Sequence, residues 1–190
     1  PHLTIPDGVK EIKQYCFYRF FPYYLDVNLP GTIEVIEDSA FKKVNTLDLK
    51  YSESLLEIKP SAFESLSHVR LDRLWKTRFN AVATLESVFL GDNITEIPHN
   101  MFRNANVNLI SWNKKIRSIG NNAFDGCPLT YYETGKLPES LESIGARAFR
   151  GSHLENIEIP NTTIFIGEGA FEDNPELASV KIGDGLKAIP

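Results

Sequence analysis

The side chains in this sequence that could do chemistry are few, and their spacing assembles no site. Four histidines, His2, His68, His99 and His153, are scattered along the chain. Metal binding wants a second ligand a short, regular step away, and none of the four has another histidine at such a spacing. The two cysteines, Cys16 and Cys127, could serve a disulfide, a redox pair or zinc, yet neither belongs to a Cys-x-x-Cys pair. Asp7, Asp92 and Asp184 would suit calcium if they met, but they are far apart in the chain and read as turn formers. Gly-x-Ser-x-Gly, Walker and Gly-x-Gly-x-x-Gly sequences do not occur, and the scattered acids suggest no glycosidase-type pair of carboxylates. No catalytic residue, metal ligand or cofactor is assigned, and the chain is expected to be non-enzymatic.

What must position these side chains is a repeat. Ala-Phe pairs recur at 40–41, 62–63, 123–124, 148–149 and 170–171, and Cys16-Phe17 and Met101-Phe102 fill equivalent places. The phenylalanines are 22 residues apart from 41 to 63, 102 to 124 and 149 to 171, with 24 from 17 to 41 and 25 from 124 to 149. Only the interval of 39 from 63 to 102 breaks the rhythm. A period of this size marks a solenoid, in which each coil has an apolar face that only its neighbours can bury. With 42% hydrophobic residues, the chain can fill one continuous core. Cys16 and Cys127 then lie about 24 Å apart at the spacing of stacked strands, beyond the ~7 Å reach of a disulfide, so both are expected to be unpaired, semi-buried thiols.

Each repeat divides into recognisable pieces. A strand-like run, Leu154-x-x-Ile157-x-Ile159-Pro160, is echoed by Leu177-x-x-Val180-x-Ile182 and Leu85-x-x-Val88-x-Leu90, with the alternation of a strand that turns one face inward. Turn residues follow, as in Pro6-Asp7-Gly8 or Pro30-Gly31-Thr32. The chain returns through Val9-x-x-Ile12, Ile33-x-x-Ile36, Ile94-x-x-Ile97 or Leu141-x-x-Ile144. The x-x-x-Ala-Phe piece is too short for a helix and fits either a tight turn or one turn of 3₁₀ helix. In Ile-Gly-x-x-Ala-Phe, Gly145 and Gly167 are read as the bend, and the phenylalanines as a stacked spine. Residues 64–84 lose the Ala-Phe turn, which is read as shortened and rebuilt around Trp75 and Phe79. The stretch YCFYRFFPYYL, 15–25, is crowded with aromatics.

The pattern L-x-x-I-x-I-P-x-x-V-x-x-I-G-x-x-A-F-x-x-C, best seen at 154–171 and 129–149 with Cys127 on the cysteine position, resembles the BspA-like (Treponema pallidum type) leucine-rich repeat. The resemblance implies a mostly β solenoid, a curved right-handed superhelix with parallel strands on the concave side and short 3₁₀ turns. It covers residues 1–190 as a single domain of about eight turns, irregular at 64–84. It also implies bacterial or protozoan cell-surface proteins that bind host or neighbouring-cell molecules, and brings no catalytic motif. In a bacterial chain the N-glycosylation-like Asn93-Ile94-Thr95 and Asn161-Thr162-Thr163 are chance matches. Because the chain opens on Pro1 inside a strand run and stops before a next Ala-Phe turn, it is expected to be part of a longer protein.

Residues flanking the fourth position of each strand run should face outward onto the concave surface. These are Asp26 and Asn28, Asp48 and Lys50, Ser87 and Phe89, Leu109 and Ser111, Asn156 and Glu158, Ser179 and Lys181. Phe89 and Leu109 stand out as apolar in a polar surface, a contact point. Tyr18, Phe20, Phe21 and Tyr23 form a candidate aromatic edge for stacking against sugar or protein. The expected function is a binding or adhesion module of a secreted or cell-surface bacterial protein, outside the cell. Its partner would be a protein or glycan, host extracellular matrix among the candidates; the alternative is a structural stalk with no ligand of its own. A net charge of −5 argues against nucleic acid, and no apolar run is long enough to span a membrane.

Overall fold

The computed structural model describes residues 1–18, 24–44, 46–50, 57–59, 61–63, 65–71, 79, 84–129 and 136–188; the side chains of Tyr24, 47–50 and Glu57 are outside this description. It is a parallel β-solenoid, with no α-helix among the described residues. Six strands, His2–Thr4, Tyr24–Asn28, Thr46–Lys50, His68–Leu71, Ser87–Leu90 and Leu109–Ser111, pair in chain order in one parallel sheet. Two further strands, Asn156–Ile159 and Ser179–Ile182, pair in parallel, and Lys136 bridges to Glu158. Alternation decides which side chains go inward: Val88 and Leu90 are buried while Phe89 between them is exposed. The return runs form two-residue strands whose isoleucines stack in register, Ile12 on Ile36 on Ile58, and Ile97 on Ile119 on Ile144 on Ile166.

The phenylalanine spine is present. Phe41, Phe63, Phe102, Phe124 and Phe149 are fully buried. Neighbouring rings lie nearly parallel, at 5.0 Å for Phe17 on Phe41, 5.3 Å for Phe41 on Phe63, 5.5 Å for Phe124 on Phe149 and 5.7 Å for Phe149 on Phe171. These distances suit offset stacking. Phe79 resolves the long interval: it is buried and stacks 6.0 Å from Phe102. Its backbone N–H donates to the carbonyl of Met101 at 2.7 Å, as Phe124 N–H donates to that of Ala148 at 2.8 Å. Phe79, 16 residues after Phe63 in the chain, thus joins the spine from the Phe102 side; Trp75, the other residue assigned to that turn, lies outside the described residues.

Of the two forms open to x-x-x-Ala-Phe, the chain adopts the tight turn. In each case the Ala N–H bonds to a carbonyl three residues back, Ala148 to Gly145 and Ala123 to Gly120 among them. A positive φ stands just before the Ala, Cys or Met at Tyr15 (62°), Ser39 (56°), Asn100 (56°), Asn122 (52°), Arg147 (53°) and Gly169 (62°). A left-handed third position is what a type II turn requires, and it stops a 3₁₀ helix from propagating.

The bend is thus at Arg147 and Gly169, not at Gly145 and Gly167 as their sequence suggested. Those glycines answer a different constraint. A Cβ at Gly145 would lie 2.5 Å from the backbone N of Asn121, and one at Gly167 would lie 2.4 Å from that of Ala146. Gly120 meets His99 in the same way at 2.6 Å. The Ile-Gly glycine lets one coil rest directly on the backbone of the coil before it.

Gly167→Ala should accordingly destabilise the chain by about 2 kcal/mol or more, because the obstacle is backbone and cannot rotate away. Gly31 has open space around its Cβ position, so Gly31→Ala should change stability by no more than about 0.5 kcal/mol. Urea unfolding of both variants checks the contrast; equal effects would contradict the close-approach reading.

Candidate functional site: the strand face

Register turns the outward positions of successive strands into rows. The central row runs His2, Asp26, Asp48, Arg70, Phe89, Ser111, each opposite the next. The described pairing resumes with Lys136 opposite Glu158 and Glu158 opposite Lys181. A second row holds Thr46, His68, Ser87 and Leu109. Phe89 is the apolar member of the central row, 43% exposed, between exposed Arg70 and exposed Ser111. Leu109 lies diagonally from it on the next strand and is half-buried rather than open.

The other expected residues divide. Ser87 does not face solvent: it is 4% exposed, and its hydroxyl lies 2.6 Å from Nδ1 of His68. A serine beside a histidine is half of a nucleophilic arrangement, but here the pair serves as a cross-strand hydrogen bond, closed to a substrate. Asn156, Ser179 and Lys181 are exposed. Glu158 is half-buried between Lys181 at 2.6 Å and Lys136 at 3.4 Å. The hydrogen bond from Lys181, helped by Lys136, holds its carboxyl below the usual range against the opposing effect of desolvation. Asp26 accepts from His2 at 3.2 Å, and Asn28 and Thr4 approach the other ring nitrogen of that histidine. The strand carries Asp48 and Lys50 into the sheet, but their side chains lie outside the description. On the aromatic edge, half-buried Tyr18 meets Tyr15 edge-on at 5.3 Å, with the Lys42 ammonium 5.4 Å from its ring. Phe20, Phe21 and Tyr23 lie outside the described residues.

Several groups carried no clear signal in the sequence. Arg70 was hidden by the irregular segment, although Leu66-x-x-Val69-x-Leu71 would have placed it beside Phe89. Lys136 was missed because the run from Leu129 to Pro138 is three residues longer (138−129=9) than that from Leu154 to Pro160 (160−154=6), so its outward position cannot be counted from the leading leucine. Ile164 and Phe165, 68% and 56% exposed, are a second apolar pair outside the strand face. Away from that face, Asp125 is 3% exposed and accepts from Arg103 Nε at 3.1 Å and Arg150 Nε at 2.9 Å. One carboxylate thus ties three successive turns, and its hydrogen bond is the main reason the Arg150 guanidinium is held more firmly charged.

No group of three or more His, Cys, Asp or Glu gathers to hold a metal among the described residues. Both cysteines are free, and neither is semi-buried: Cys16 is exposed and Cys127 is buried. The Cys127 thiol donates to the carbonyl of Phe102 at 2.9 Å. Ser152 Oγ reaches the carbonyl of Phe124 at 2.9 Å and Asn174 Nδ2 that of Phe149 at 2.7 Å. The cysteine position therefore asks for a small donor that satisfies the carbonyl of the spine phenylalanine one coil back. Burial pushes the Cys127 thiol up to about 12, backbone N–H groups of Ala105 and Val107 offsetting only part of it. Such a thiol is no nucleophile at neutral pH.

The family described as BspA type leucine rich repeat region matches residues 1–75 and 72–190, in six copies. No curated protein matches the chain. Among solved structures, a leucine-rich repeat protein from Bacteroides ovatus is 24% identical, with a TM-score of 0.65 over 94% of this chain and 48% of that one. The pneumococcal vaccine antigen PcpA is 18% identical, with a TM-score of 0.46 over 97% of this chain and 61% of that one. The chain spans about half the length of the Bacteroides ovatus protein, and that likeness is one of fold. No helix among the described residues is long and apolar enough to cross a membrane.

The buried thiol gives a pH dependence with a definite sign. Unfolded, it ionises around its ordinary value of 9.0; folded, it keeps its proton to about 12. Between those values the folded state binds more protons, so stability falls as pH rises, by about 1.4 kcal/mol per unit. Moving from about pH 8 to about pH 10.5 should cost the native chain about 2 kcal/mol more than Cys127→Ser, which lacks the titrating group. Urea unfolding at both pH values measures it; equal losses would contradict the assignment.

Proposed function

This chain belongs to the BspA-type leucine-rich-repeat family, and we propose that it is a non-enzymatic recognition module of a secreted or cell-surface bacterial protein, using its strand face to bind a protein partner. Membership of the family and an exposed solenoid face support an interaction or surface role, since such arrays offer a long, rigid surface rather than an enclosed reaction site. The observation that carries the reading is Phe89, a large aromatic left open on the central row with Arg70 beside it. An aromatic and an arginine flanked by polar neighbours are the residue types in which binding energy concentrates, and alternation exposes Phe89 without any gain to folding.

The chain should bind at least one protein from an array of host extracellular matrix proteins in the micromolar range, and Phe89→Ser should weaken that binding by more than about tenfold. Its stability should move by no more than about 0.5 kcal/mol, because the side chain is open to solvent. An array silent at high micromolar concentration, as a structural spacer would give, or binding indifferent to Phe89→Ser, would overturn the reading.

A further inference from the structure

Beside the central row, two cavities of about 590 and 510 Å³ adjoin one another and share Lys136, Leu137 and Glu139. The first lies between Ile110–Lys114 and Lys136–Ser140. The second continues past Glu158 to Lys181 and Asp184. We infer that this double cleft is a second binding site, for an acidic oligosaccharide whose carboxylate-bearing ring occupies the first cavity and whose hydroxyls meet the second.

The lining selects the ligand by what it leaves available. Two of the lining hydroxyls are already engaged by the backbone: Ser140 Oγ donates to Ile116 O at 2.6 Å, and Thr162 Oγ1 to Glu139 O at 2.7 Å. Exposed Ser111 remains open in the first cavity, and the charged groups supply the rest of the selection. In the first cavity these are Lys114 and Lys136 against Glu139 alone, an excess of cation that suits a carboxylate. Lys136 can turn to a ligand at little cost, because Lys181 holds Glu158 at 2.6 Å while Lys136 stands back at 3.4 Å. Half-buried Trp112 supplies an apolar wall, edge-on to Phe124 at 5.6 Å, and its indole N–H is buried with no partner among the described residues.

In the second cavity the excess is acidic, Glu139, Glu158 and Asp184 against Lys136 and Lys181. Carboxylates there call for hydroxyl donors, which a sugar ring presents in number. An acidic peptide would satisfy the first cavity but bring carbonyl acceptors against the carboxylates of the second. Aromatic walls with a few placed polar groups, in cavities of this size, are the usual make-up of a small-ligand site.

The test is calorimetry and tryptophan fluorescence on the full chain, with an aldobiouronic acid (one uronic acid linked to one neutral sugar) as the probe at low ionic strength. Trp112 is one of two tryptophans, so Trp75→Phe isolates its signal. The probe should change Trp112 emission, and its carboxyl-reduced, neutral form should bind at least about tenfold more weakly. Lys114→Gln and Lys136→Gln should each weaken binding by about tenfold, with circular dichroism unchanged. Phe89→Ser should leave it unaltered, which separates failure here from failure of the strand-face reading. Absence of binding, equal binding of the neutral form, indifference to both lysine variants, or tighter binding of an oligoglutamate peptide would each overturn the inference.

Discussion

The stacking of one phenylalanine on the next, coil after coil, is the contact on which the remaining structure depends. Strands in a parallel sheet lie about 4.8 Å apart, and nothing in a coil can stand taller than that step without disturbing its neighbour. Parallel phenyl rings meet the step with a slight offset, as the 5.0 and 5.3 Å centroid distances between Phe17, Phe41 and Phe63 indicate. Small residues meet it where backbone touches backbone, at Ala123, Ala148 and Ala170 and at the glycines of the Ile-Gly pairs. Carbonyls of the spine residues, stranded inside by this packing, are reached by Cys127, Ser152 and Asn174 from the following coil. Buried backbone groups must be paired somewhere, and the repeat assigns that task to one position.

The same constraint orders the strand face. Because the coils cannot slip, every outward residue of a strand is held opposite its counterpart on the next, and single residues become rows. Phe89 acquires its setting from Arg70 and Ser111, which are far from it in sequence and adjacent in register. Glu158 is set between two lysines in the same way. Chemistry on this chain is spread along a rigid ruler rather than gathered in a pocket, which suits recognition of extended partners. The double cleft beside Lys136 is where that surface gains depth.

Much of this was legible in the sequence, and the limits were physical. Period and alternation placed Phe89 outward and the spine inward, since both follow from strand geometry alone. Ser87 was misplaced because alternation predicts direction but not what lies above a side chain, and His68 covers it through a hydrogen bond across strands. Gly145 and Gly167 were recognised as special but for the wrong reason: a local pattern shows that a side chain is missing, not which distant backbone requires its absence. The left-handed turn at Arg147 gave no signal, because arginine carries no preference for that conformation and is held there by the packed Ala148-Phe149 that follows. Lys114 and Lys136 were invisible as a pair, being joined only through the cleft they line.

The spine is tested most directly by Phe149→Ala, followed by urea unfolding and native-state hydrogen exchange. Phe149 lies between Phe124 and Phe171, so its removal leaves two rings without a partner and a cavity among coils that cannot close independently. A loss of about 3–5 kcal/mol is expected, the range for a large aromatic taken from a packed core. Amide protection should fall in the coils on both sides, since neighbours in such an array support one another. A loss below about 1 kcal/mol, or protection lost only within the coil of Phe149, would contradict the view that the stacked rings hold the solenoid together.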